Sequence, residues 1–452
     1  HLFADRFRRN LYSGVQISLG VSFALGTGSQ ARDVEYRDLE IMPVFPVFYS
    51  YYDEHPLGRF ELANGSGSDI RDVEVTFFVP EYMDRPKRCA ALSVLASGTS
   101  ADVPIYALFN REILSTTEGT RVPGQISVSY TYLGERRTVT LDESLNVRNR
   151  NAMTWDDDRK AASFVTSRDE DVLRFARGTA AYVRDSESRI VNRTFRIAMA
   201  LFRALDQFGV RYVIDPVTPH EAFSQYASAE DYLQFPAQTL SFRGGDCDDL
   251  TILYAALLES VGIETAFITV PGHILLAFNS GVRPQDVEGT FTNSDEVIVL
   301  DGNTWVPVEV TMVRDTFLDA WREGARKWKV QSAQIAAELI PVREAWQRYE
   351  PVDQPPLSAR VIPFDPAEIA NAYQADLDLL TAFQIQDRVR ELERQIELGG
   401  PRRASLINRL GVLYARYGLY RQAQRQFRRL AGADFQPAII NLGNLAYLEA
   451  DY

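Results

Sequence analysis

Two cysteines and four histidines occur in 452 residues, so a thiol and an imidazole that work together have few possible players. Cys247 stands in Gly244-Gly245-Asp246-Cys247-Asp248-Asp249, ahead of the apolar stretch Leu250–Val261. A thiol at the first turn of a helix meets unpaired backbone N–H groups and the positive end of the helix dipole, and both favour the thiolate. Glycine lets the backbone approach a substrate closely, and the N–H of Cys247 could bind an oxyanion. The flanking aspartates act the other way, because nearby negative charge disfavours ionisation of a thiol. A reactive Cys247 therefore needs a positive partner. His273 follows Pro271-Gly272 and opens the run Ile274–Phe278; its imidazole can take the thiol proton. Glu309, in Trp305–Thr311, can orient that imidazole, with Asp301 as the fallback acid. Such a constellation performs acyl transfer through a thioester and needs no metal or other cofactor. The competing reading is a small buried apolar cysteine, although three neighbouring aspartates make a poor apolar setting.

The elements that must position these groups fall in the middle of the chain. Helical spacing runs through 168–186 and 192–209, for example at Ile197, Leu201 and Leu205. A short strand at Val210–Asp215, a turn at Asp215-Pro216 and a polar loop over 217–240 lead to the cysteine. The helix Leu250–Val261 ends at Gly262. Strand-like runs follow at Thr265–Val270, Ile274–Phe278, Glu296–Leu300 and Trp305–Val310, with a polar exposed loop at Asn279–Asp295.

Before this region, period-two alternation recurs at Val15–Leu25, Val73–Val79 and Ile126–Tyr132, with turn clusters between. The pattern predicts an all-β, Ig-like sandwich over residues 1–150. A transmembrane β-barrel alternates too, but needs more strands than this region holds. After about residue 312 the chain is helical again. Residues 350–366 carry five prolines and read as a linker, and 367–398 read as two helices. Leu410-Gly411 and Tyr420 recur as Leu442-Gly443 and Tyr452, 32 residues on, close to the period of a tetratricopeptide repeat. A lone repeat cannot bury both faces, so further repeats are expected after Tyr452.

Residues from about 192 to 315 resemble the transglutaminase-like superfamily of papain-type cysteine enzymes. The likeness rests on Gly245–Asp249, the helix ending at Gly262-Ile263, His273 at a strand start, and Trp305–Thr311. It implies Cys247 as nucleophile, His273 as general base and Glu309 as the orienting acid, where the family usually has Asp. It also implies a polar oxyanion donor upstream of the cysteine, for which Gln238 is the first candidate and Tyr232 and Gln234 follow. The predicted architecture is multidomain: the sandwich at 1–150, an α+β papain-like domain at 151–335, a linker and helical hairpin at 336–398, and the start of repeats at 399–452. The resemblance implies hydrolysis of an amide rather than cross-linking. The alternative is a scaffold that binds a peptide without turning it over.

Apolar residues make up 46% of the chain and charged residues 24%, which excludes a disordered chain. The net charge of −13 disfavours nucleic acid as a partner. No run is long and apolar enough for a spanning helix. A protein, peptide or cell-wall peptide substrate is expected, with a protein partner on the repeats. The chain begins at His1, so a cleaved export signal could precede it and a periplasmic location is expected. His220 and His55 read as surface histidines and Cys89 as structural. Trp155–Asp158 lacks the ligand spacing of a calcium loop and reads as a solvated helix start.

Overall fold

A computed structural model describes residues 33–183, 191–214, 230–352, 366–431 and 435–448. The protein is mixed α/β with several sheets and a helical C-terminal region. Two units emerge: residues 1–157 with 220–232, and 158–219 with 233–452.

The first unit holds two antiparallel sheets. One has the order β1 (Val34–Ile41), β2 (Gly58–Asn64), β5 (Ser100–Ile105). The other has the order β4 (Lys87–Leu95), β3 (Ile70–Phe78), β6 (Thr120–Tyr132), β7 (Glu135–Val147). Alternation sets their faces: Val73, Val75 and Phe77 are buried on β3, as are Ile126, Val128 and Tyr130 on β6. The β6–β7 hairpin turns on Leu133-Gly134, with φ of 48° and 88°, the left-handed pair that a two-residue hairpin needs. β8 (Ala152–Thr154) pairs with β10 (Glu230–Tyr232), and Trp155 donates from its indole to Asp231 at 2.7 Å. The acidic segment does lead into a helical turn, Asp158–Phe164, but Trp155 at its head is tied down rather than solvated. The predicted strand Val15–Leu25 lies outside the described residues, as does the turn Asp215-Pro216.

The second unit is built on a five-stranded antiparallel sheet. Its order is β14 (Ile298–Leu300), β15 (Asn303–Val308), β13 (His273–Asn279), β12 (Thr265–Val270), β16 (Glu338–Pro341). Helices α1 (Glu170–Val183), α2 (Arg193–Phe208) and α4 (Cys247–Ser260) pack together, and α4 lies against β12 and β13. Helix α4 is buried nearly all round, as its uninterrupted apolar run requires. Phe195, Phe278, Phe317 and Trp321 form an aromatic cluster at the heart of the unit, with centroids 5.3–6.4 Å apart.

Several elements differ from expectation. The polar loop over 217–240 contains β10 and a helix, α3 (Pro236–Phe242), which starts on a proline. Helix α4 begins at Cys247, three residues before the predicted start, because Asp246 and Asp249 cap it reciprocally. The loop 279–295 is not uniformly exposed: Ser280, Val287 and Phe291 are buried. The domain boundary at 335 falls inside the unit, since β16 completes the sheet at 338–341. The hairpin over 367–398 is one continuous helix, α6 (Pro366–Glu397). Three helices follow: α7 (Arg403–Arg416), α8 (Tyr420–Ala431) and α9 (Gln436–Leu448). Gly411 on α7 touches Phe427 on α8, where an added Cβ would meet the ring at 2.4 Å. Most of the linker 350–366 lies outside the described residues.

One remaining helix, α5 (Phe317–Ala333), matters most for the site. It packs on β15, and Gly324 permits the approach: a Cβ there would meet Pro307 and Val308 backbone atoms at 2.9 Å. Among the described residues no helix is long and apolar enough to cross a membrane.

Candidate active site

Cys247 is the first residue of α4, with Asp246 as its N-cap. Asp246 Oδ1 accepts from the N–H of Asp249, and Asp249 Oδ2 accepts from the N–H of Asp246, both at 3.3 Å. The Asp249 carboxylate also accepts from Gln234, from its backbone N–H at 2.7 Å and its side-chain amide at 2.6 Å. Asp249 lies so close over Gly245 that a Cβ there would meet its Cβ at 2.5 Å. The Gly-Asp-Cys-Asp-Asp sequence is therefore first a helix start: glycine makes room, and aspartates bind the orphan N–H groups. The three aspartates place oxygens within 4.8 Å of one another, close enough for one cation, but the oxygens of Asp246 and Asp249 already serve this cap.

The thiol is 4% exposed. Burial, then Asp248 and Asp246, and also Glu309, push it well above the usual thiol range; the Ile274 backbone pulls it back only in part. Desolvation and the acidic flanks thus act against ionisation of this thiol. Cys89, in β4, is also raised, chiefly by burial, and exchanges weak hydrogen bonds with the Tyr106 backbone.

His273 opens β13, where it pairs with Val270 in register with β12. Its neighbour Ile274 supplies the backbone group that acts on the Cys247 thiol, lowering it against the effect of burial. The ring points Nε2 at Glu309 Oε2, 2.7 Å away. Glu309 is 1% exposed and carries four donors. Oε2 also accepts from Lys327 Nζ at 2.6 Å, while Oε1 accepts from Thr311 Oγ1 at 2.5 Å and from its N–H at 3.2 Å. The Glu309 N–H donates to Ala320 O on α5 at 2.9 Å. Burial would raise this carboxyl, but the His273 hydrogen bond and charge, and then Lys327, hold it at about 2. Glu309 is thus a carboxylate at neutral pH. A carboxylate can only accept, so Nε2 is the donor in this pair.

The structure brings His273 and Glu309 together and buries Cys247 at the start of α4. It separates Asp301, which sits exposed at the β14–β15 hairpin tip with φ 49°, next to Gly302 with φ 78°. Asp301 builds a turn and is not the acid. Gln238 is buried at the start of α3, where its side-chain oxygen accepts from the Phe235 N–H at 2.8 Å. Tyr232 is exposed and belongs to the first unit through β10. Gln234 is committed to Asp249. His55 stacks on Tyr51 with centroids 3.9 Å apart, and His220 lies outside the described residues. Lys327 was not anticipated from the sequence. Its only local signal is Gly324 one helical turn earlier, which brings α5 against β15.

Beside the site is an open cavity of about 570 Å³, lined by Arg211, Tyr212, Thr311, Arg314 and Asp315. Arg211 and Tyr212 form β9, which runs parallel to β11 (Gly244–Gly245) on the approach to Cys247. Neither a family model, nor a curated protein, nor a solved structure matches this chain.

Proposed function

We propose that the protein is a transglutaminase-like cysteine enzyme that transfers an acyl group from an amide, with water as the usual acceptor. The observation that supports this most is the His273–Glu309 pair, 2.7 Å apart, with the carboxylate buried. Because the resting thiol is neutral, His273 Nδ1 takes its proton as sulfur attacks the carbonyl carbon. The carbonyl oxygen becomes an oxyanion, with the Cys247 N–H and the Gln238 amide as its proposed donors. Collapse breaks the C–N bond, and His273 returns the proton to the leaving amine. Water, deprotonated by the same imidazole, then cleaves the thioester and frees the thiol. Glu309 accepts from Nε2–H throughout and stabilises the imidazolium.

The burial and suppressed ionisation of Cys247 favour a second reading, in which the domain binds a peptide without reacting. An Ig-like sandwich in the first unit and tetratricopeptide-like packing in the last three helices would suit either reading. A wall or envelope peptide as substrate, met after export, belongs to the same proposal. The test is release of ammonia or amine from a glutamine peptide or a wall peptide fragment. Wild-type protein is expected to release it, and Cys247→Ala to release none while keeping its circular dichroism. Undiminished release by Cys247→Ala would remove the nucleophile from the account.

A further inference from the structure

The cavity beside the site has a lining that the reaction does not use. Thr311 forms one wall, and this residue also holds Glu309 Oε1. Opposite in sequence, β9 supplies Arg211 and Tyr212, and Tyr212 pairs with Gly245, two residues before the nucleophile. The phenol of Tyr212 is raised first by burial and then by the charges of Cys247, Asp246, Glu309 and Asp248, so it lies within electrostatic reach of the reacting groups. The cavity is therefore bounded by the residue that holds Glu309 and by the strand paired with Gly245.

The lining is also unusual in sign for a chain of net charge −13. Two guanidiniums face one carboxylate, that of Asp315. Arg211 is partly engaged, since its Nη1 donates to Asp206 Oδ1 at 3.1 Å. Arg314 is exposed and makes no ion pair among the described residues. A planar guanidinium without a partner matches a carboxylate by two parallel hydrogen bonds.

We infer that this cavity is the subsite for an acyl donor bearing a carboxylate, with Arg314 as the residue that recognises it. The inference rests on the proposed cysteine chemistry only for the word donor; the carboxylate site stands or falls by itself. The test uses the full chain carrying Cys247→Ala, so that nothing reacts. Calorimetry compares acetyl-Gln-Glu-amide with acetyl-Gln-Gln-amide, which differ only in the carboxylate. The acidic peptide is expected to bind about tenfold more tightly or better, with the advantage falling as salt is added. Adding Arg314→Gln should erase the advantage, and Arg314→Lys should keep part of it. Equal affinities, absence of binding by either peptide at millimolar concentration, or a preference that survives Arg314→Gln would overturn the inference. Preference for the acidic peptide in a wild-type protein that turns over nothing would instead overturn the enzymatic reading and leave the carboxylate site in place.

Discussion

Glu309 shows how one contact can be read from sequence without the environment around it. Its place in Trp305–Thr311 marks it as the acid, and it does meet His273 at 2.7 Å. Nothing local announces Lys327, because that contact is made by a helix folding back onto a strand. The ammonium has a consequence for pH. The folded-state carboxyl is depressed from the ordinary 4.5 to about 2, so its contribution to stability is complete above about 4.5 and is lost as pH falls toward about 2. Lys327→Met removes one of the groups that depress it. The variant is expected to lose about 1–3 kcal/mol at neutral pH and to begin acid unfolding at a higher pH than wild type. Tryptophan fluorescence during acid titration reads this, and Lys327→Arg should behave like wild type. Superimposable acid transitions for wild type and Lys327→Met would show that the ion pair contributes nothing. The aspartates around Cys247 carry a similar lesson. Their charge was legible as an obstacle to a thiolate, but their work as a capping box becomes visible only once the helix is known to start at the cysteine.

At the scale of elements, close approach decides where functional groups arrive. Helix α5 can reach Glu309 only because Gly324 lets it touch the β15 backbone. A Cβ there meets main-chain atoms at 2.9 Å, which cannot move as a side-chain end can. Gly324→Ala is therefore expected to cost about 1–3 kcal/mol and to lower amide turnover, since Lys327 and Ala320 both lean on Glu309. Thermal unfolding together with the amine-release assay checks this; a variant unchanged in both would contradict the packing argument. The strands β12, β13 and β15 were legible from their apolar runs, and α4 from its length. Strand β16 was not, because the four residues Glu338–Pro341 are too short to show a period. The hairpin tip Asp301-Gly302 had a readable turn signal, Asp-Gly between two strands. Taking Asp301 as a spare acid passed over it.

For the whole molecule, the predicted edges were the least legible part, since they depend on contacts far apart in sequence. The expected boundary at 335 would cut β16 from the sheet and remove α6 from the helices it packs against. On α6, Asp376 accepts from the N–H of Phe317, an orphan donor at the start of α5, at 2.9 Å. A chain truncated after residue 335 is expected to lose cooperative unfolding, because β12 gains a bare edge and α5 loses this cap. Truncation after Tyr349 should restore the edge but not the cap. Circular dichroism melts of the two fragments check the order. A fragment ending at 335 that melts as sharply as the full chain would show that the sheet does not need its last strand.

In the proposed reaction the buried thiol at the start of α4 is activated by His273. The measurement is the rate at which iodoacetamide alkylates Cys247 at neutral pH, read by peptide mass with Cys89 as internal reference. His273→Ala is expected to slow Cys247 about tenfold or more while leaving Cys89 unchanged. Alkylation of Cys247 at the same rate with and without the imidazole would contradict the account.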